Sequence, residues 1–168
     1  RGQEIYCCAS DRAQARIVFD TSKLMAMKDP ELSKRAVVRR SEIRYPQRDS
    51  VFRVLSSEAG SKHGFNSSLV IFDELHAIQD RELVDVLITS TGARPEPLVV
   101  SITTAGFDET SICYEKYDYA KKVMNGVIQD PAFLPVVYEA EEGSDWTDEE
   151  VWRKVNPNYG ISISQDYL

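Results

Sequence analysis

A chain of 168 residues, 42 % apolar and 28 % charged, has the size and make-up of one globular domain with at most a tail. This balance excludes long disorder, collagen-like repeats and a disulfide-dense miniprotein, and no apolar run approaches the roughly 20 residues of a membrane span. The net charge of −7 is unevenly placed: residues 1–62 carry 13 Lys/Arg against 8 Asp/Glu, and the remainder 7 against 19. A uniformly acidic protein repels nucleic acid, whereas a basic first third can form a phosphate-facing patch or merely solvated helix faces.

Arg1-Gly2-Gln3-Glu4 lead straight into an apolar run, without a signal-peptide pattern or an initiator Met, as expected of a piece of a longer chain. Glu4 to Ala9 reads as a buried strand. Ser10-Asp11 supplies N-cap chemistry for a helix with Ala13, Ile17, Thr21, Leu24 and Met25 at helical spacing, and Asp29-Pro30 stops it. Val37-Val38 and Val51 to Leu55 read as strands, with Tyr45 to Asp49 as the turn between. Glu58 to Gly64 is a polar, Gly-bearing loop.

Ser68 to Phe72 is a continuous apolar run of the kind found in parallel strands covered on both faces. Asp80 caps the next helix, which buries Leu83, Val86, Leu87 and Ser90 and ends at Gly92 as its C′ glycine. Leu98 to Ile102 is another buried-type strand. A helix runs through Cys113, Tyr117, Ala120 and Met124 to Asn125-Gly126. Phe133 to Tyr138 reads as a further strand. Thr147 and Glu150 form a capping box for a helix that ends before Asn156-Pro157. Strands alternating with helices predict an α/β domain with a mostly parallel sheet.

Three cysteines, Cys7, Cys8 and Cys113, are an odd number with no C-x-x-C pair. They fit buried reduced thiols of a cytosolic-type compartment and not zinc ligands, and Cys7 and Cys8 should face opposite sides of their strand. Trp146 and Trp152, six residues apart, are expected to pack against the sheet.

The chemistry concentrates in Leu69-Val70-Ile71-Phe72-Asp73-Glu74. An apolar strand ending in two acids delivers both to the carboxyl edge of a parallel sheet, where α/β folds bind ligands. In nucleotide hydrolases the first acid orients hydrated Mg²⁺ and the second polarises the attacking water. The alternative is a buried strand leaving through polar residues. The next strand ends in Ser101-Ile102-Thr103-Thr104-Ala105-Gly106, whose hydroxyls can sense a γ-phosphate beside the acids, or serve only as turn chemistry. His76 completes a D-E-x-H pattern; it either hydrogen-bonds toward those hydroxyls or makes a purely structural bond. No G-x-x-x-x-G-K-[ST] phosphate loop is present, and the pattern fits a chain that starts after it.

These residues resemble the large terminase subunit of tailed bacteriophages, in the part of its ATPase domain downstream of the phosphate loop. Gly2 to Phe19 resembles its second strand and helix. Ser68 to Ala77 is similar to its Walker B segment, and Pro97 to Gly106 to its coupling motif. Asp130 to Phe133, Asp145 to Thr147 and Trp152 to Asn158 resemble the connection between ATPase and nuclease.

The resemblance implies a P-loop NTPase core, RecA-like and of the class with an additional strand and a catalytic glutamate, truncated at its N-terminus. It implies ATP and Mg²⁺ as cofactors, with Asp73 on the metal, Glu74 as the catalytic carboxylate, and Ser101, Thr103, Thr104 and Gly106 as coupling residues; Asp73, Thr103 and Thr104 would touch the nucleotide. Arg39, Arg40, Arg44, Arg48, Arg53 and Lys62 lie where the family often places a trans-acting arginine, with Arg53 or Lys62 the choice here.

It further implies residues 1–140 as partial ATPase domain and 141–168 as a linker toward a nuclease domain outside this segment. The partners would be double-stranded DNA, a small terminase subunit, a portal protein and further copies in a ring, with no membrane. The place of action would be the host cytoplasm at the procapsid portal. The segment alone would hydrolyse little ATP. A DExH helicase core and an inactive α/β assembly module are the competing readings.

Overall fold

The computed structural model describes residues 2–55 and 64–167. Among them lie strands β1 (Glu4–Cys8), β2 (Val37–Val38), β3 (Glu42–Tyr45), β4 (Ser50–Leu55), β5 (Leu69–Asp73) and β6 (Leu98–Ile102). They form one sheet in the order β2-β3-β4-β1-β5-β6. β4, β1, β5 and β6 are mutually parallel, and β2 and β3 add an antiparallel flap to β4. The helices are α1 (Arg12–Lys28), α2 (Pro30–Arg35), α3 (Arg81–Thr89), α4 (Ile112–Met124) and α5 (Glu149–Val155). The chain divides into two compact units, residues 1–115 and 116–168.

The central strands are apolar because both faces of the sheet are covered. On one face Tyr6, Cys8, Leu55, Val70 and Phe72 pack with Leu83, Val84 and Leu87 of α3 and with Ile112 and Cys113 at the start of α4. On the other face the Cys7 thiol lies 3.6 Å from the Ala15 carbonyl of α1, and Phe19 meets Phe52 edge-on at 5.4 Å. The adjacent cysteines therefore do face opposite sides, and all three are free and buried. Burial pushes the Cys7 thiol up to about 11 and Cys8 to about 12, which keeps them protonated.

Caps fix the helix starts as their sequences suggest. Asp11 accepts from the N–H groups of Ala13 and Gln14, and Asp80 from that of Leu83. α4 ends in a Schellman motif: Gly126, at φ +72°, donates to Val123 and Val127 to Lys122.

Several expectations are overturned. Asp29-Pro30 ends α1 but also begins α2, because Asp29 caps Glu31 and Leu32 and Pro30 occupies the first turn, where it lacks no needed donor. The buried stripe of α1 is Ala15, Phe19 and Ala26, whereas Ile17, Leu24 and Met25 are exposed; small side chains let the helix sit close to the sheet. Glu42 to Tyr45 forms β3, a strand not expected from the sequence, and only its last residue, Tyr45, falls in the expected turn. Phe133 to Tyr138 is not a strand: Pro135 removes a ladder donor, and Leu134, Val136 and Tyr138 are exposed. Gly92 lies in a 3-10 turn without positive φ and is no C′ glycine. Asp148, not Thr147, caps α5, while Thr147 is bound by Asp145. Trp146 is 77 % exposed, and Trp152 packs on Tyr159 within its own unit. The loop read over Glu58 to Gly64, apart from Gly64, lies outside the described residues.

At the amino end of the parallel strands, Arg94 (8 % exposed) donates to the carbonyls of Asn66 and Gly2 and so ties the entries to β5 and β1 together.

Candidate active site

Parallel register determines which residues share the carboxyl rim. Phe72 of β5 lies opposite Ser101 of β6, and Asp73 opposite Ile102. The next residues on each strand, Glu74 and Thr103-Thr104, therefore emerge side by side. Strand alternation puts Asp73 on the face opposite Phe72, toward Cys7, and its charge is one reason the Cys7 thiol stays protonated.

Glu74 adopts a left-handed backbone, φ 52° and ψ 58°, which an L-residue takes at a cost of about 1 kcal/mol. The turn carries its carboxylate back to the tip of β6. There Glu74 Oε2 accepts from the backbone N–H and the hydroxyl of Thr104, both at 3.4 Å. Asp49, in the turn before β4, shares this backbone at φ 50°, so it is the contact with Thr104 and not the strain alone that marks Glu74.

His76 lies in the 3-10 turn that follows, Leu75–Ala77. Its backbone N–H donates to Thr103 Oγ1 at 3.1 Å. Its ring Nδ1 lies 3.0 Å from Thr103 Oγ1, 3.2 Å from Glu74 Oε2 and 3.5 Å from Thr104 Oγ1. Gly106 closes over this turn: a Cβ there would stand 3.2 Å from the Cβ of His76. Of the two open readings of His76, the one toward the hydroxyls is what the geometry displays.

Glu74, Thr103, Thr104 and Gly106 thus come together around His76, Asp73 ends β5 opposite Ile102 on the face toward Cys7, and Ser101 lies one register position short of the rim, on exposed strand. Arg53 does not join them. It sits on β4, two strands from β5, with its guanidinium 3.3 Å from Glu42, a carboxylate that Arg39 and Arg44 also hold. Lys62 lies outside the described residues. Sequence reasoning missed Cys113, whose Sγ is 3.6 Å from Thr103 Oγ1; its place at the first turn of α4 gave no signal.

The rim is open. Residues 101–110 are exposed, and a groove lies elsewhere, along β2 to β4 beside Arg39, Arg44, Asp49 and Arg53. Among the described residues no three His, Cys, Asp or Glu side chains gather to hold a metal alone, and no helix is long and apolar enough to cross a membrane. Two adjacent carboxyl groups on an open rim suit Mg²⁺, which keeps its waters and is held by one or two carboxylates plus substrate phosphates.

Comparison with known proteins agrees with this architecture. The family described as terminase large subunit, ATPase domain, matches residues 2–122. The terminase large subunit of Enterobacteria phage HK97 is 28 % identical over 167 residues, 96 % of this chain and 32 % of that protein. Protein YmfN of Escherichia coli (strain K12) is 34 % identical over 105 residues, 62 % of this chain and 23 % of that protein. The crystal structure of the HK97 bacteriophage large terminase superposes with a TM-score of 0.83 at 28 % identity, over 99 % of this chain and 35 % of that one. The Thermus phage P74-26 large terminase ATPase domain shares the fold, with a TM-score of 0.51 at 18 % identity over 64 % of this chain and 50 % of that one. This chain spans about a third or less of the curated relatives it matches. The matches favour this relationship over a helicase core or an inactive assembly module.

Proposed function

The chain belongs to the terminase large-subunit ATPase-domain family, and from that membership we propose that it forms part of an ATP-hydrolysing motor that packages phage DNA. The observation that carries the reading is the contact of Glu74 with Thr104 across the ends of two neighbouring parallel strands.

In this reading Asp73 holds Mg²⁺ and Glu74 takes a proton from the attacking water at its carboxylate. A bound magnesium nucleotide supplies the phosphoanhydride and neutralises phosphate charge. Thr103 and Thr104 would change their hydrogen bonding when a phosphate is lost, a role supported by their attachment to Glu74 and His76, through which the tip of β6 would respond. Ser101 and Gly106 frame the same tip. Residues 1–140 serve as partial ATPase domain, and 141–168 lead toward a nuclease domain of the whole subunit.

Double-stranded DNA, a small terminase subunit, a portal and sister copies in a ring are the partners this function requires, at the procapsid in the host cytoplasm. Arg53 and Lys62 are the candidates for a residue acting on a neighbouring copy, and Arg53 would have to leave Glu42 to do so.

An in vitro packaging reaction tests the proposal. A large subunit carrying Glu74→Ala should lose DNA translocation and ATP turnover by a factor of about 10²–10³ while still binding nucleotide. Normal packaging by that variant would refute it.

A further inference from the structure

His76 makes more contacts at the rim than a turn residue needs. The hydrogens of its neighbours can be assigned one by one. The Thr103 hydroxyl donates to the Thr104 carbonyl at 2.9 Å, so its oxygen is left to accept. One acceptor direction takes the His76 backbone N–H. The other faces His76 Nδ1 at 3.0 Å. The second neighbour of Nδ1, Glu74 Oε2 at 3.2 Å, is a carboxylate oxygen already accepting from Thr104. The third, Thr104 Oγ1 at 3.5 Å, gives its hydrogen to Glu74 Oε2, so all three groups facing Nδ1 are acceptors, and an unprotonated Nδ1 would set its lone pair against a carboxylate.

We propose that His76 is a positioning residue whose Nδ1–H, shared between Glu74 Oε2 and Thr103 Oγ1, locks the carboxylate to the tip of β6. Resting on the hydrolase reading above, this names the part that transmits between hydrolysis and the coupling strand. The lock has two further supports. The left-handed backbone at Glu74 aims the carboxylate at the ring. Gly106 stands so close over His76 that a larger residue would press on it. His76 does not touch the reacting atoms in this account; it acts through Glu74.

The chain has only two histidines, so nitrogen resonances of the ring can be assigned with a His63→Gln variant. In ¹⁵N spectra of uniformly labelled protein, His76 should carry its proton on Nδ1, against the usual preference of free imidazole for Nε2. Thr103→Val should leave it on Nδ1, where Glu74 Oε2 still accepts, and only Thr103→Val combined with Glu74→Ala should return it toward the Nε2 form. A His76 protonated only at Nε2 overturns the proposal whatever the activity shows.

Kinetics in the full-length large subunit provide the second arm. His76→Ala should lower kcat about tenfold, the effect of one hydrogen bond to a charged group, with KM for ATP unchanged. His76→Asn, whose amide N–H stands near the position of Nδ1, should restore most of it, and His76→Gln, which mimics Nε2, should not. Combining His76→Ala with Thr103→Val should cost no more than the worse single variant. Equal behaviour of the Asn and Gln variants, or wild-type kcat in the Ala variant, contradicts the lock. Glu74→Gln separates the two claims: turnover retained there removes the hydrolase reading, while the tautomer still decides the assignment of His76.

Discussion

Arg94→Met offers a quantitative test of how the sheet is held in register. Arg94 is 8 % exposed and forks across two strands, with Nε and a terminal nitrogen on the Asn66 carbonyl at 3.0 and 2.8 Å and a terminal nitrogen on the Gly2 carbonyl at 2.8 Å. Methionine keeps most of the apolar stem and removes every donor, so lost packing contributes little. The carbonyls of buried Asn66 and half-buried Gly2 then lose these donors, each at about 1–3 kcal/mol, for a total of about 2–6 kcal/mol. The Glu4 contact at 3.8 Å adds little, since one partner is partly solvated. Against a stability of about 5–15 kcal/mol the loss is large. Urea unfolding followed by circular dichroism should give a lower midpoint with an unchanged slope. Coincident midpoints would mean that water replaces the guanidinium without penalty and that the clamp contributes nothing.

Removing the α1 cap with Asp11→Ala should cost about 1 kcal/mol in the same assay. Cys7 and Cys8, held protonated by burial, should resist iodoacetamide at about pH 8 and react once urea opens the fold; reaction at the rate of a free thiol in the native protein would contradict their placement. The Glu42 carboxyl is held below its ordinary 4.5 by Arg44 and then Arg53. A depressed folded pKa gives stability that is present above the unfolded value and lost as pH falls through the folded one. Between about pH 6 and about pH 3, wild type should therefore lose more stability than Glu42→Gln; parallel pH profiles would refute this.

β5 was legible because a parallel strand covered on both faces must be apolar along its length, as Val70 and Phe72 are; β6 has the same apolar look but is an edge strand with Leu98 and Ile102 more than half exposed, so its buried-type reading was wrong though its place was right. The acids at the end of β5 and the hydroxyls at the end of β6 were legible for a related reason: polar residues directly after such runs can only emerge at the rim. What stayed hidden was set by tertiary contact. The stripe of α1 was misread because apolar Ile17, Leu24 and Met25 outweighed Ala15 and Ala26 on any hydropathy count, whereas close approach to the sheet favoured the small residues. β3 escaped notice because it is four residues long and half of them are charged; Glu42 is tolerated there because the antiparallel pairing with β4 sets it opposite Arg53, which the local sequence does not show. Phe133 to Tyr138 had strand composition, but a strand needs a free edge to pair with, and composition carries no information about edges. Arg94 carried no local pattern at all; its partners are 28 and 92 residues away.

The proposed function divides the labour of hydrolysis between adjacent acids on one rim. Nucleotide binding and single-turnover hydrolysis, measured side by side for Asp73→Asn and Glu74→Gln in the full-length large subunit, test it most directly. The expected result is a Glu74→Gln protein that binds magnesium nucleotide like wild type yet hydrolyses it at least about a hundredfold more slowly, and an Asp73→Asn protein in which Mg²⁺ no longer tightens binding. Near-normal turnover by Glu74→Gln, or Mg²⁺-dependent binding untouched by Asp73→Asn, would contradict it.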